Sequence, residues 1–180
     1  MNKLLAVIYL FLLAACYQKQ KKDEKINYYY DLEGFLEELY QQKQANFLKT
    51  TLIEKQKQQK KVENIAWQKE LAFLEQANIN KSAYRGLYEE VRKQHGDTLI
   101  LQYKPKNNDL KVRWLEIKLN ALQKPLEINA FLQTENYLYA SEKELRLWLK
   151  DEKIFRYSIK GKQKMIFAKP ENFEIYAEKL

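Results

Sequence analysis

Three hydrophobic patterns follow one another along the chain. Leu4 to Leu13 is almost wholly apolar, two helical stripes with an alternating run between them occupy the stretch from Leu32 to Ala77, and from Leu87 onward short runs alternate apolar and polar positions. Leu32, Phe35, Leu36, Leu39 and Tyr40 fall at i, i+3, i+4, i+7 and i+8, which predicts a helix with Asp31 as its N-cap. Gly34 within it costs up to about 1 kcal/mol relative to alanine, so packing has to hold this helix. The stripe reads as a core face, because a lipid-binding surface helix favours a basic polar face and this one is acidic. Leu48, Thr50 and Leu52 alternate with Lys49, Thr51 and Ile53, and their β-branched content predicts a hairpin turning near Gln56 to Gln59. A second helix is expected from Ile65 to Ala77, with Trp67, Leu71 and Leu74 on one stripe and Asn64 as its cap.

From Leu87 the expected strands are Leu87–Val91, Thr98–Tyr103, Leu110–Leu119, Leu126–Leu132, Tyr137–Ala140, Leu145–Leu149, Ile154–Ile159, Gln163–Ala168 and Phe173–Tyr176. Their turns fall at His95-Gly96-Asp97, Pro105–Asp109, Thr134-Glu135-Asn136, Ser141-Glu142-Lys143, Asp151-Glu152-Lys153 and Lys160-Gly161-Lys162, with Pro170 before the last strand. The count is nine strands, or eleven with the early hairpin. A sheet that long tends to curl. The expected class is therefore α+β: a curved antiparallel meander, partly closed like a half-barrel, with two helices from the N-terminal half against its concave face. No repeat of solenoid length is visible.

The apolar N-terminal run has the layout of a signal peptide: Lys3, then Leu4 to Leu13, then the small residues Ala14-Ala15. As a helix, a run of roughly 13 residues spans about 20 Å, short of the ~30 Å hydrocarbon core. The charged run from Lys19 to Lys25 follows at once and argues against a buried core helix. Leu13-Ala14-Ala15-Cys16 resembles the bacterial lipobox, in which cleavage before the cysteine is coupled to its acylation. The resemblance implies a diacylglyceryl thioether on Cys16, and two acyl chains give stable anchoring. Cys16 is the single cysteine, so lipidation accounts for an odd thiol in an exported chain and leaves the mature fold without a disulfide. About 165 residues bury enough apolar surface to fold without one. The expected organisation is a signal peptide at 1–15, a lipidated polar tether at 16–30 and one domain at 31–180. Lys21-Lys22-Asp23-Glu24 is similar to the Lys-then-acidic signals of some surface-displayed lipoproteins, although a hydrophilic tether accounts for the same residues.

A second resemblance covers the mature chain. Ala66-Trp67-Gln68-Lys69-Glu70-Leu71-Ala72-Phe73, then Asn78-Ile79-Asn80-Lys81-Ser82-Ala83-Tyr84, resemble a pattern in small uncharacterised lipoproteins of the Bacteroidota. Asn78 stands where that pattern has an acid. The resemblance implies the element layout and the lipid anchor, and no activity.

Composition narrows the chemistry. A net charge of +8 invites a nucleic-acid reading, but the lysines are scattered, often beside Glu, and greatly outnumber the arginines. A solvated surface with some attraction to anionic lipid or acidic glycan fits better, and no nucleic-acid partner is expected. His95, the sole histidine, lies in a turn and lacks a nucleophile elbow or an orienting acid, so it reads as a surface residue. One His and an acylated Cys leave no zinc set. Glu37-Glu38 and Glu89-Glu90 are adjacent pairs more typical of solvent than of calcium. Four scattered glycines form no phosphate loop, and Asn80-Lys81-Ser82, though a sequon, reads as loop chemistry. No cofactor, metal or catalytic residue is assigned, and the one assigned site is lipidation at Cys16. The leading expectation is a non-enzymatic lipoprotein of the outer membrane, periplasmic or surface-facing, that binds or scaffolds another envelope protein. A carrier of lipid or another hydrophobic ligand in the concave face, and a hydrolase built on paired carboxylates, are the alternatives.

Overall fold

The computed structural model describes residues 26–42, 46–53, 56–63 and 65–180. The expected signal peptide, the lipidation site Cys16, the tether up to Lys25 and the Asn64 cap lie outside the described residues.

The fold is mostly β. Helix α1 (Leu32–Tyr40) is followed by β1 (Phe47–Ile53) and β2 (Gln56–Val62), two four-residue helices α2 (Trp67–Glu70) and α3 (Ala72–Glu75), and a 3₁₀ turn at Ser82–Tyr84. Then come β3 (Tyr88–His95), β4 (Thr98–Pro105), β5 (Val112–Leu119), β6 (Pro125–Glu135), β7 (Tyr139–Lys150), β8 (Lys153–Met165) and β9 (Glu171–Lys179). All nine strands form one antiparallel open sheet in the order β2-β1-β9-β8-β7-β6-β5-β4-β3. The early hairpin therefore docks onto the last strand. Both edges are polar and charged, β2 reading QKQQKKV and β3 YEEVRKQH, which discourages further strand addition.

One face is the core. A cross-strand row runs Leu101, Ile117, Ile128, Leu147, Tyr157, Ala177, and all six side chains are buried. The stretch from Ile65 to Leu87 crosses this face between the two edges of the sheet. It lays Trp67, Leu71, Leu74, Ala77 and Ile79 onto the row as buried residues. Helix α1 buries Leu32, Leu36 and Leu39 and packs on α2 and α3. The Asp31 side chain caps it by accepting from the Gly34 backbone N–H, 3.1 Å. A Cβ on Gly34 would collide with that carboxylate, so the expected advantage of alanine there is offset by the cap.

Several expectations are corrected. The meander has seven strands and the sheet nine, because β7 and β8 each run through a predicted turn. Those two turns pair with each other: Glu142 lies opposite Lys162, Lys143 opposite Gly161 and Glu144 opposite Lys160. Polar residues with oppositely charged partners across the ladder are content in a strand. The hairpin reverses between Ile53 and Gln56, so Gln56 to Gln59 belong to β2 rather than to its turn. The expected helix from Ile65 to Ala77 is broken at Leu71 (φ −99°, ψ 4°), and Ala66 at its start supplies no side-chain cap. The break lets Trp67, Leu71 and Leu74 all face the sheet. Tyr28 to Tyr30 are tied to the domain, as described below.

Gly161 shows why one glycine sits inside a long strand. Phe173 on β9 is its cross-strand partner and folds its ring over the bare Cα, where a Cβ would overlap the ring. Gly161→Ala is expected to destabilise the domain by about 1–3 kcal/mol through overpacking. In urea unfolding, adding Phe173→Leu to Gly161→Ala should recover part of the loss. Independent, additive losses would reject the contact.

Candidate functional site

Among the described residues no helix lies on the second face of the sheet. Strand alternation puts every other residue there, and register joins them into rows that sequence spacing alone does not show. The central row runs through eight strands: Gln102, Glu116, Asn129, Arg146, Ser158, Tyr176, Thr50 and Gln59, with Val91 of β3 at its end. Apart from Val91 the row is wholly polar. Asn129 and Ser158 in its middle are nonetheless 6% exposed, so their neighbours close over them.

Two ion-pair groups flank this row. At one end Lys118 Nζ binds Glu127 at 2.6 Å, Gln102 donates to Glu116 at 2.7 Å, and Asn129 Nδ2 donates to Glu127 at 3.1 Å. The bond to Glu127 raises the Lys118 pKa, so the lysine stays charged. At the other end Arg156 donates to Glu178 at 2.7 Å, and its guanidinium stands 5.4–5.6 Å from the ring centroids of Phe155, Tyr176 and Trp148. The Tyr176 hydroxyl donates to Glu178 at 2.6 Å, and together with Arg156 it holds that carboxyl below its ordinary range. Asn129 Oδ1 and Arg156 Nε are buried and make no hydrogen bond among the described residues.

A groove of about 570 Å³ crosses this face beside the central row. Phe131 and Leu52 mark its two ends, and Glu144, Lys160 and Glu174 alternate in charge between them. Lys160 is bonded to Glu174 at 3.1 Å, and Trp114 lies opposite Phe131 in the next strand. Aromatic and arginine side chains that are half-buried and already immobilised are suited to binding, because little rotamer freedom remains to be lost.

On the core side one charged cluster stands out. Glu70 of α2 accepts from Lys49 Nζ at 2.7 Å and from the Tyr157 hydroxyl at 2.5 Å, joining helix, β1 and β8. Burial raises the Glu70 pKa, but the Lys49 and Tyr157 bonds outweigh it and the net shift is downward. Burial first, and then Glu70, push the Tyr157 hydroxyl well above its ordinary value. An ionised Glu between a lysine and a neutral tyrosine clamps α2 to the sheet.

A second polar brace fixes the start of the domain. Asn80 Oδ1 accepts from the Tyr28 and Tyr29 backbone N–H groups at 2.8 and 3.2 Å, and Asn80 Nδ2 donates to Asn27 at 2.7 Å. The Tyr29 hydroxyl donates to the Tyr84 carbonyl and accepts from the Tyr88 N–H. Asn80, the sequon residue, is 8% exposed and is engaged in this brace.

Of the residues weighed from sequence, His95 ends β3 and is exposed, with Asp97 exposed in the turn after it. Glu37 and Glu38 are exposed on α1, and Glu90 pairs with Arg92. Among the described residues no three His, Cys, Asp or Glu side chains gather as a metal site would require, and no helix is long and apolar enough to cross a membrane. The open-face rows escaped sequence reasoning; their one trace was the polar half of each alternating strand. No family model and no curated protein matches this sequence.

Proposed function

We propose that this chain is a lipoprotein of the cell envelope, anchored to the outer membrane through Cys16, whose open sheet face binds another envelope protein without catalysing a reaction. The observation that carries the binding role is the polar row across this face, which includes half-buried Tyr176 and is flanked by half-buried Trp114, Trp148 and Arg156. These are the residue types that dominate protein interfaces, placed where the backbone is rigid. The non-catalytic reading draws support from two described carboxylates held below their ordinary range. Glu70 and Glu178 are both held ionised and sit on opposite faces, whereas a carboxylate hydrolase needs one acid kept protonated beside its partner. The α+β description, with the sheet curved as a half-barrel, belongs to this proposal; its support is the strand number and the helices gathered on one side.

A second reading is favoured by the groove. Its apolar ends and charged middle suit an amphipathic ligand, and it lies on the open face, while the helix-covered face is filled by core side chains. One experiment separates these ideas. A photo-crosslinking side chain at Phe131 should trap an envelope protein in living cells, and the same side chain at Ala72, exposed on α3, should not. Bound amphiphile in the mass spectrum of native protein, without a crosslinked partner, favours the carrier. In the same cells Cys16→Ala should abolish acyl labelling and accumulate unprocessed precursor; continued cleavage and membrane retention would overturn the anchor.

A further inference from the structure

Exposed apolar side chains concentrate in two loops. Tyr137 (82% exposed) and Leu138 (49%) form the β6–β7 turn, while Met165 (62%), Ile166 (46%) and Phe167 (97%) form the β8–β9 turn. The two turns are one unit, because the Ile166 N–H donates to the Leu138 carbonyl at 2.9 Å and Tyr139 lies opposite Met165. Each is also closed internally. Asn136 Oδ1 accepts from the Leu138 and Tyr139 N–H groups at 2.9 Å, and the Ala168 N–H donates to the Met165 carbonyl at 3.1 Å. A structured tip that holds Phe167 almost wholly in water has a solvation cost that packing within the chain does not relieve.

Two observations say what covers it. The first is charge: Lys160 to Pro170 contains four lysines and no acid, and Lys162, Lys164 and Lys169 are exposed around the apolar tip. Glu135, Glu142 and Glu171 border the loops; Glu142 lies opposite Lys162 across the ladder, and Glu171 accepts from Gln163. The second is the place where the described chain begins. Tyr28 and Tyr29 are bonded to Asn80 and Tyr88, and Tyr88 pairs with Pro105 at the end of β4. The antiparallel order puts that strand end on the same side of the sheet as the β6–β7 and β8–β9 turns. From β4 to β8 is four strand spacings, about 19 Å. The ten residue steps from Cys16 to Ile26 span at most about 35 Å. An acylated Cys16 and the loop tip can therefore meet one membrane surface.

We propose that the paired β6–β7 and β8–β9 loops are a membrane-contact site, with Phe167, Ile166 and Tyr137 entering the interface of an anionic bilayer and Lys162, Lys164 and Lys169 lying over its phosphates. The geometry rests on the lipid anchor proposed above. Apolar insertion beside basic residues is the chemistry of interfacial binding, and the anchor raises the local concentration of the loops at the bilayer. It would hold the sheet with its loop end toward the membrane.

The test uses the full chain, exported and processed in cells, purified and reconstituted on phosphatidylcholine–phosphatidylglycerol vesicles. Phe167→Trp places a reporter at the tip, and Leu122→Trp places one in the exposed β5–β6 turn at the opposite end. Brominated-chain lipid should quench the added signal at 167 at least about twofold more than at 122, and replacing the phosphatidylglycerol should reduce the difference. Equal quenching at both positions, or none at 167, overturns the loop contact even if acyl labelling of Cys16 is intact. Quenching confined to 167 in a chain without acyl label would remove the anchor and leave the loop contact standing.

Discussion

Trp67→Ala is expected to lower the unfolding free energy by about 3–5 kcal/mol, among the largest losses of any single truncation here. Its indole is 2% exposed and meets Phe47 of β1 edge-on, with ring centroids 5.2 Å apart. The helix that carries it has four residues, far too short to persist without tertiary contacts. The stretch crossing the core face is therefore held by the side chains it inserts, and Trp67 is the first of them. Trp67→Phe should cost much less. It keeps an aromatic ring against Phe47 and removes an indole N–H that is buried without an acceptor. Urea unfolding reads both, as a lowered midpoint for alanine with little change in slope. Equal losses for the two variants would show that the ring contact with Phe47 does not carry the effect.

Trp67 also marks what could be read from sequence. The α1 stripe behind Asp31 and the alternation of Leu48, Thr50 and Leu52 are local periodicities, and each formed the expected kind of element; the stripe of Trp67, Leu71 and Leu74 gave two short helices broken at Leu71 in place of the one expected. Failures arose where a residue's partner is distant. Ser141-Glu142-Lys143 and Lys160-Gly161-Lys162 resemble turns in isolation; in the fold they lie side by side across β7 and β8, with Glu142 opposite Lys162, and Phe173 fills the space over Gly161. The docking of β1 onto β9 left no local trace, since Lys49 beside Ala177 looks like any polar residue beside any small one. The candidate face was hidden for the same reason. Glu116, Asn129, Arg146 and Ser158 read singly as solvated positions, and only the register shows them as one surface. Asn80 is similar: its acceptor role depends on Tyr28 and Tyr29, some fifty residues away.

The tyrosines that close this core give the fold a steep alkaline limit. Burial raises the pKa of Tyr88 from its ordinary 10 to about 12, and pushes Tyr30, Tyr103 and Tyr157 further in the same direction. Nearby carboxylates add to it: Glu38 and Asp31 beside Tyr30, Glu90 beside Tyr103, and Glu70 accepting from Tyr157. A folded pKa above the unfolded one means stabilisation that is complete below pH 10 and is lost as pH rises toward the folded value. For Tyr88 that window runs from 10 to about 12. Unfolding should therefore set in above pH 10. In a tyrosinate absorption titration, Tyr30, Tyr88, Tyr103 and Tyr157 should ionise only as near-ultraviolet dichroism collapses. The acid side has the opposite sign. Glu70, shifted downward, contributes above its ordinary 4.5, and that contribution is lost as pH falls below it. Glu70→Gln should flatten the acid limb, and Tyr157→Phe, which removes one hydroxyl that resists ionisation, should flatten the alkaline limb. If all the tyrosines titrate in a single step near pH 10 with the dichroism intact, these rings are more accessible than their packing requires. The clamp between α2, β1 and β8 would then have to open freely in the native state.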